Sequence, residues 1–159
     1  MESVRMLNQT GVQTAEHIGA LAYRALLEEV YTTPKPGLVD LATTGAHTDM
    51  DVHTFERSAA ALHPWFVRMA LEGETFQGTP RELFLKIRTY GIAAEQEMYR
   101  ATGGVNTHKG LVFTLGIFCA AVGRLKNRIN NEVSRREPGC RCSITAENSF
   151  RSEKHGSEK

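Results

Sequence analysis

The chain has 159 residues, of which 41% are hydrophobic and 23% charged, and its formal net charge is +1. This length suits one domain with a real core, and the near-neutral charge gives no general argument for nucleic acid or a membrane surface as a partner. The N-terminus has no apolar run of the secretory kind, the longest apolar run covers residues 111–123, and three cysteines do not make a disulfide framework. We therefore expect a cytoplasmic protein without nucleic-acid or membrane partners.

The first two helices are predicted from apolar residues that recur with the helical period. Residues 14–31 show this period over several turns, and the helix is expected to end where Pro34 and Pro36 remove backbone donors. A second helix can begin at Asp51, because apolar side chains then line up along one helical face. Pro64 lies inside that run, so we expect it to kink or break the helix.

The third and fourth helices have clearer limits in the sequence. Thr79 is predicted to be the N-cap of the third helix, with Pro80 in the first turn and Glu82 closing a capping box. The glycine pair at 103–104 is expected to end this helix. The fourth helix, over about residues 107–125, is apolar all round and is therefore predicted to be central. With about four main helices and no convincing strand, the predicted fold class is all-α.

Residues 126–159 differ in composition from the rest of the chain. Large apolar side chains are few there and follow neither a helical nor an alternating period. We therefore predict a helical part at residues 1–125 and a polar, disordered tail at residues 126–159. The Cys-Arg-Cys stretch in the tail is rejected as a metal site, because no further Cys or His stands at a useful spacing.

The stretch ATGGVNTHKG, directly before the fourth helix, is the first candidate for a binding site. Gly104 allows a ligand to approach the backbone closely, and the first turn of a helix offers unpaired N–H groups that suit a phosphate or carboxylate. Lys109 adds a full positive charge, while Asn106, Thr107 and His108 add directional hydrogen bonds. The alternative is that Asn106 or Thr107 only caps the helix. A Walker P-loop is excluded, since no Gly-Lys-Ser/Thr follows the glycines.

A second polar segment, residues 33–51, lies between the first two helices. Its candidate functional residues are Lys35, Asp40, His47 and Asp49. Together with Glu95 of the third helix, the carboxylates of Asp40 and Asp49 could bind Mg²⁺ carried by a polyphosphate. The alternative is that Asp49 or Asp51 is only a helix N-cap and Asp40 a solvated turn residue. Because polar residues accumulate in two helix-connecting loops, we expect the loops to share one site.

Both segments resemble the motifs of the triphosphoribosyl-dephospho-CoA synthase family. The similarity is carried by PKPGLVD at 34–40, by GAH with the following Asp-Met at 45–50, and by GVNTHKG at 104–110, and it extends over roughly residues 15–125. Between these motifs, single residues also match: Phe55, Ser58, Glu95 and Met98. The resemblance implies an all-α enzyme that joins ATP to 3′-dephospho-CoA and releases adenine. It also implies a product that is the precursor of the prosthetic group on the acyl carrier subunit of citrate lyase or, in a related branch, of malonate decarboxylase.

The implied reaction sets tasks that we assign to residues by chemical inference. The 2′-hydroxyl of dephospho-CoA displaces adenine at the ribose C1′ of ATP, through a transition state that resembles an oxocarbenium ion. The candidate substrate-binding residues are Lys35, Gly104, Asn106, Thr107 and Lys109. The candidate general bases, which are also the candidate Mg²⁺ ligands, are Asp40, Asp49 and Glu95. The candidate proton donors to adenine are His47 and His108.

The family pattern is not found after Leu125, so two alternative interpretations of the chain are considered beside an active enzyme. One is a truncated or frameshifted synthase, which we expect to be nearly inactive and prone to associate. The other is a helical module that binds a nucleotide without catalysis. Binding of ATP without release of adenine distinguishes this module from an active transferase.

Overall fold

The structure, a computed structural model, describes residues 2–136 as four helices. These are α1 (Glu2–Tyr31), α2 (Val52–Thr75), α3 (Pro80–Ala101) and α4 (Lys109–Arg136). No strand occurs within residues 2–136, and the all-α prediction is confirmed. The predicted disorder of residues 137–159 lies outside the described residues.

Helix α2 is the centre of the fold, because it packs extensively against α1, α3 and α4, whereas α4 packs extensively only against α2 and contacts α1 and α3 less. The largest fully buried apolar side chains are Leu26, Val30, Leu62, Phe66, Met69, Met98 and Val112. The prediction that the fourth helix is central is wrong: Phe118 and Leu125 of α4 are 62% and 56% exposed. Apolar composition sets how much surface a helix could bury, but the extent of its contacts with the neighbouring helices decides how much it does bury.

Local signals in the sequence set the starts of α2 and α3. The amide of Thr54 donates to the Asp51 side chain at 2.8 Å, so Asp51 caps α2, and Thr79 and Glu82 form the predicted capping box of α3. The prediction for Pro64 is wrong in its stronger form, because α2 continues through this residue. Pro64 is exposed, so the carbonyl that loses its helical partner lies toward water, which can hydrogen-bond it.

Helices α2 and α4 cross in backbone contact. A Cβ atom added to Gly73 would lie 2.0 Å from the carbonyl oxygen of Ala120, and one added to Gly123 would lie 2.2 Å from that of Ala70. Nearer the helix starts, Ser58 of α2 contacts His108, which directly precedes α4. The two helices therefore run in the same direction, and their N-termini lie at one end of the bundle.

Helix α4 is longer than the sequence pattern predicted. It continues past Leu125, so the expected disorder is wrong for residues 126–136. Leu125, Ile129 and Val133 stand four residues apart, a helical spacing that continues the exposed apolar face. Farther back, the guanidinium of Arg124 donates to the carbonyl of Gly78 at 2.6 Å and ties α4 to the turn before α3.

One segment of α4, Lys109–Val133, is long and apolar enough to cross a membrane by length and composition alone. The core helix of a soluble protein passes the same test, and α4 packs extensively against α2. This single segment is therefore weak evidence for a membrane span.

Candidate functional site

A cavity of about 410 Å³ lies at the end of the bundle where α2 and α4 begin. It is lined by Glu29, Lys35, Leu38, Val39, His47, Met50, Phe55, Asn106, Thr107, His108 and Leu111. These residues come from the end of α1, the loop between α1 and α2, the start of α2, and the segment that leads into α4. The two polar segments singled out in the sequence therefore meet at one cavity, which has both polar and apolar lining residues.

Asp40 organises the loop between α1 and α2. Its carboxylate accepts hydrogen bonds from the backbone amides of Lys35, Ala42 and Thr43, each at 2.8 Å, and from the hydroxyl of Thr33 at 2.8 Å. The amide of Lys35, followed by the Thr33 hydroxyl, holds the pKa of the Asp40 carboxyl well below its ordinary value of 3.8. A carboxylate stabilised in this way is a weak base, and Asp40 does not line the cavity. Asp40 therefore fits a structural role better than the predicted role of general base or Mg²⁺ ligand.

Lys35 stands at the cavity wall in a fixed position. Its ammonium group donates to the backbone carbonyl of Glu29 at 2.7 Å and to the Glu29 carboxylate at 3.0 Å. The Lys35 side chain is only 14% exposed, so its charge acts in a partly desolvated place. An anion in the cavity would meet this cation already oriented, although it would compete with Glu29 for it.

His108 lies in a buried row of hydrogen bonds with Ser58 and Thr107. The His108 Nδ1 is 2.8 Å from the Ser58 hydroxyl, which accepts a hydrogen bond from the Thr107 hydroxyl at 2.7 Å. Burial lowers the pKa of His108 from 6.5 to about 4, so the imidazole is uncharged at neutral pH. The predicted role of His108 as an imidazolium acid is therefore not supported by its surroundings. The side chain of Thr107 contacts Ser58, so it has a function other than capping α4.

The turn that precedes α4 is built on glycines. Gly103 and Gly104 have φ angles of +67° and +93°, and the amide of Gly104 donates to the carbonyl of Tyr99 at 2.7 Å, which closes the end of α3. Nothing lies within 4 Å of a Cβ added to Gly104, so the backbone there is open to approach. Asn106 is exposed and lines the cavity.

Lys109 and Glu95 form an ion pair beside the cavity. Their Nζ and Oε1 atoms are 2.8 Å apart, and the hydrogen bond to Glu95 raises the pKa of Lys109 above its ordinary value. Neither residue lines the cavity. Lys109 is half exposed at the first residue of α4, where a flexible side chain could turn toward an anion held at the helix N-terminus.

The predicted metal ligands do not form a metal site by themselves. Within residues 2–136, no three His, Cys, Asp or Glu side chains come together in a way that could hold a metal ion. Asp40 is engaged by its own loop, Glu95 is paired with Lys109, and Asp49 lies 4.0 Å from His47 and is largely exposed. Mg²⁺ binds to proteins through one or two carboxylates when it arrives with substrate phosphates, and Asp49 is chemically suited to supply one.

Three residues of the site were given no role from the sequence, although Phe55 and Ser58 are among the residues that match the family. Glu29 and Phe55 line the cavity, and Ser58 holds the ring of His108. Glu29 is one acid in a helix rich in polar residues, and Ser58 is one small residue on a buried face. Neither has a spacing in the sequence that indicates a role, so the packing of the helices is needed to show what each of them contacts.

The family model and the curated relatives that match this chain point to the same family. The family model for ATP:dephospho-CoA triphosphoribosyl transferase matches residues 15–146, farther along the chain than the predicted limit of about residue 125. No solved structure matches the chain.

Three curated relatives are named as synthases of 2-(5''-triphosphoribosyl)-3'-dephosphocoenzyme-A, two of them as probable. The probable synthase of Photobacterium profundum is 50% identical over 110 residues, which cover 69% of this chain and 35% of the relative. The probable synthase of Albidiferax ferrireducens is 54% identical over 114 residues, covering 71% and 38%. The synthase of Haemophilus ducreyi is 48% identical over 120 residues, covering 75% and 37%. The chain thus spans little more than a third of the length of these relatives.

Proposed function

The chain belongs to the ATP:dephospho-CoA triphosphoribosyl transferase family, and we propose that its cavity binds the nucleotide in the transfer of the triphosphoribosyl group of ATP to 3′-dephospho-CoA. The observation that carries the proposal is the meeting of the two polar segments at one cavity of about 410 Å³. The names of the relatives supply the reaction, and the cavity supplies a place for the nucleotide. We further propose a cytoplasmic enzyme that serves the prosthetic group of the acyl carrier subunit of citrate lyase.

The triphosphate is the part of ATP that the polar residues in and beside the cavity suit best. Lys35 and Asn106 line the cavity, and Lys109 stands beside it on the first turn of α4. The amide groups of that turn add a partial positive charge for an anion. The apolar lining residues, which include Phe55 and Leu111, suit a ribose face or a base rather than a phosphate.

The transfer itself makes one bond and breaks one. The 2′-oxygen of dephospho-CoA bonds to C1′ of the ATP ribose, the C1′–N9 bond breaks, and its electron pair leaves with adenine. The hydroxyl proton goes to a base, for which Asp49 and Glu95 remain candidates, and adenine takes up a proton, for which the partly exposed His47 is a candidate donor. We propose that Mg²⁺ enters as part of the Mg–ATP substrate.

The test measures two quantities on the 159-residue chain with Mg–ATP and dephospho-CoA: affinity for ATP by calorimetry, and free adenine by chromatography. We expect ATP to bind and Asn106→Ala to weaken this binding about two- to tenfold, the loss of one hydrogen bond. Asn131→Ala is the matched control, since Asn131 is an exposed asparagine of α4, far along the helix from Asn106, and contacts Asn127.

The outcomes separate the three readings of the chain. Binding with adenine release supports the transferase, and binding without release supports a nucleotide-binding module. Absence of ATP binding contradicts the proposed function and favours an inactive fragment. Binding that Asn106→Ala leaves unchanged contradicts the proposed site.

A further inference from the structure

Ser58 joins two helices beneath the candidate site without lining the cavity itself. Its side chain is completely buried on α2, and its hydroxyl is 2.8 Å from Nδ1 of His108 and 2.7 Å from the hydroxyl of Thr107. Both partners belong to the segment that leads into α4, about 50 residues farther along the chain. A small hydroxyl residue on the buried face of α2 thus contacts two candidate residues at once.

The direction of these hydrogen bonds determines where the imidazole carries its proton. A hydroxyl has one proton to donate and two lone pairs to accept with. With the Thr107 hydroxyl as the donor to Ser58, the proton of Ser58 is left for donation to Nδ1 of His108. Nδ1 then acts as an acceptor, so the neutral ring carries its hydrogen on Nε2.

The Nε2 atom of His108 has no protein partner among the described residues, although it is buried. His108 is 2% exposed, and the ring of Phe55 meets it edge to face with the ring centres 5.0 Å apart. A buried N–H group without an acceptor is unfavourable, and native proteins usually supply one. Since His108 also lines the cavity, a bound ligand is the available source of that acceptor.

The charges around His108 agree with a neutral donor. Glu29 and Lys35 are the charged groups that act on the ring, and they have opposite effects on its charge. Burial outweighs both and keeps the ring neutral at physiological pH. A neutral N–H can donate to a phosphate oxygen, a ribose oxygen or a ring nitrogen without bringing a full charge into the cavity.

We propose that Ser58 is a positioning residue that holds His108 in the Nε2–H tautomer, so that His108 donates a hydrogen bond to an acceptor atom of a nucleotide in the cavity. The identity of the ligand as a nucleotide rests on the proposed function. The tautomer and its dependence on Ser58 rest on the geometry of the free protein alone.

The first experiment is ¹⁵N NMR of the imidazole rings in the ligand-free 159-residue chain at pH 7. We expect Nε2 of His108 to carry the proton in the wild type. In Ser58→Ala and in Thr107→Val this preference is lost, while Ser58→Thr, which keeps the hydroxyl, retains it. Circular dichroism of each variant confirms that the helices remain. An Nδ1–H tautomer in the wild type, or an unchanged tautomer in folded Ser58→Ala, overturns the proposal.

The second experiment measures the affinities of the same variants for Mg–ATP, adenosine and inorganic triphosphate. Ser58→Ala should lower the affinity for the probe that contains the acceptor about two- to tenfold, which corresponds to the loss of one neutral hydrogen bond. Ser58→Thr should bind this probe with the wild-type affinity. Loss with adenosine places the acceptor on the nucleoside, and loss with triphosphate places it on the phosphates. If no probe binds to any variant, the proposed function fails, whereas the NMR result still decides the role of Ser58.

Discussion

The carboxylate of Asp40 illustrates how a residue's role depends on neighbours that only folding supplies. In the sequence it is one acid among several in a polar loop, and it could act as a base, as a metal ligand or as a turn residue. In the structure its oxygens accept four hydrogen bonds from the same loop. Asp40 therefore shapes the loop that carries Lys35 and His47 to the cavity.

Lys109 provides a test of the triphosphate assignment. We expect Lys109→Ala to weaken ATP binding about tenfold or more and dephospho-CoA binding less, because a triphosphate presents more charge to the start of α4. Calorimetry with each ligand measures the two affinities. Lys126→Ala, an exposed lysine farther along the same helix, is the control and should change neither. Equal weakening for both ligands would contradict the assignment.

His108 should make stability depend on pH. Its pKa is about 4 in the folded protein and 6.5 in the unfolded chain, so the unfolded state binds more protons between these values. Stability is therefore fully present above pH 6.5 and falls as the pH drops toward 4, by about 3 kcal/mol at most. Urea unfolding of His108→Gln at several pH values in this range should show that the free energy of unfolding changes less steeply with pH than in the wild type.

The control for this prediction is His17→Gln, which removes an exposed histidine from α1. It should leave the slope of stability against pH close to that of the wild type. A His108→Gln variant with the wild-type slope would show that His108 is not the buried neutral group that the structure describes.

At the scale of elements, the crossing of α2 and α4 holds the site together. The contact at Gly73 and Gly123 brings the two backbones close at one end, and the pair of Ser58 and His108 joins the helices at the other. The cavity depends on this arrangement, because α2 begins directly after the first polar loop and α4 begins directly after the second. Glycine in mid-helix costs stability on its own, so its presence here is explained by the close packing.

Gly123→Ala tests the crossing. The added methyl group would lie 2.2 Å from the carbonyl oxygen of Ala70, so the helices must separate, and we expect a loss of about 1–3 kcal/mol in the free energy of unfolding. Gly110→Ala is the matched control on the same helix, because nothing lies within 4 Å of its added Cβ. This change should be neutral or stabilise by up to about 1 kcal/mol. Equal effects of the two substitutions in chemical denaturation would contradict the described contact.

At the scale of the whole molecule, the surface carries an extended apolar face on α4. Ile117, Phe118, Val122, Leu125, Ile129 and Val133 are each at least 40% exposed. A groove of about 270 Å³ between α3 and α4, lined almost entirely by apolar atoms, adjoins this face. Contiguous apolar surface of this kind favours association in water.

We therefore expect the 159-residue chain to associate as its concentration rises, and Phe118→Asp to weaken this association about tenfold or more. Sedimentation velocity over a range of concentrations measures the effect. Asn130→Asp adds the same charge at an exposed polar position of α4 and is the control. A wild-type chain that stays monomeric at all concentrations would show that the exposed face is not adhesive.

The sequence by itself determined the features that depend on short-range chemistry. Helical periodicity and capping residues act over one or two turns, so the all-α class, the Asp51 and Thr79 caps and the turn at Gly104 could be predicted from neighbours along the chain. The family motifs belong here too, because they are contiguous runs of residues. The same local reading indicated that two loops carried the polar groups of a site.

Tertiary structure decided what depends on contacts between distant residues. It made α2 rather than α4 the central helix, paired Lys109 with Glu95, and buried His108 against Ser58. Burial and hydrogen bonding set whether an imidazole is charged and whether a carboxylate is free, and both arise only when the helices pack. The sequence therefore indicated which residues could form the site, and packing decided which atoms of those residues remain available to a ligand.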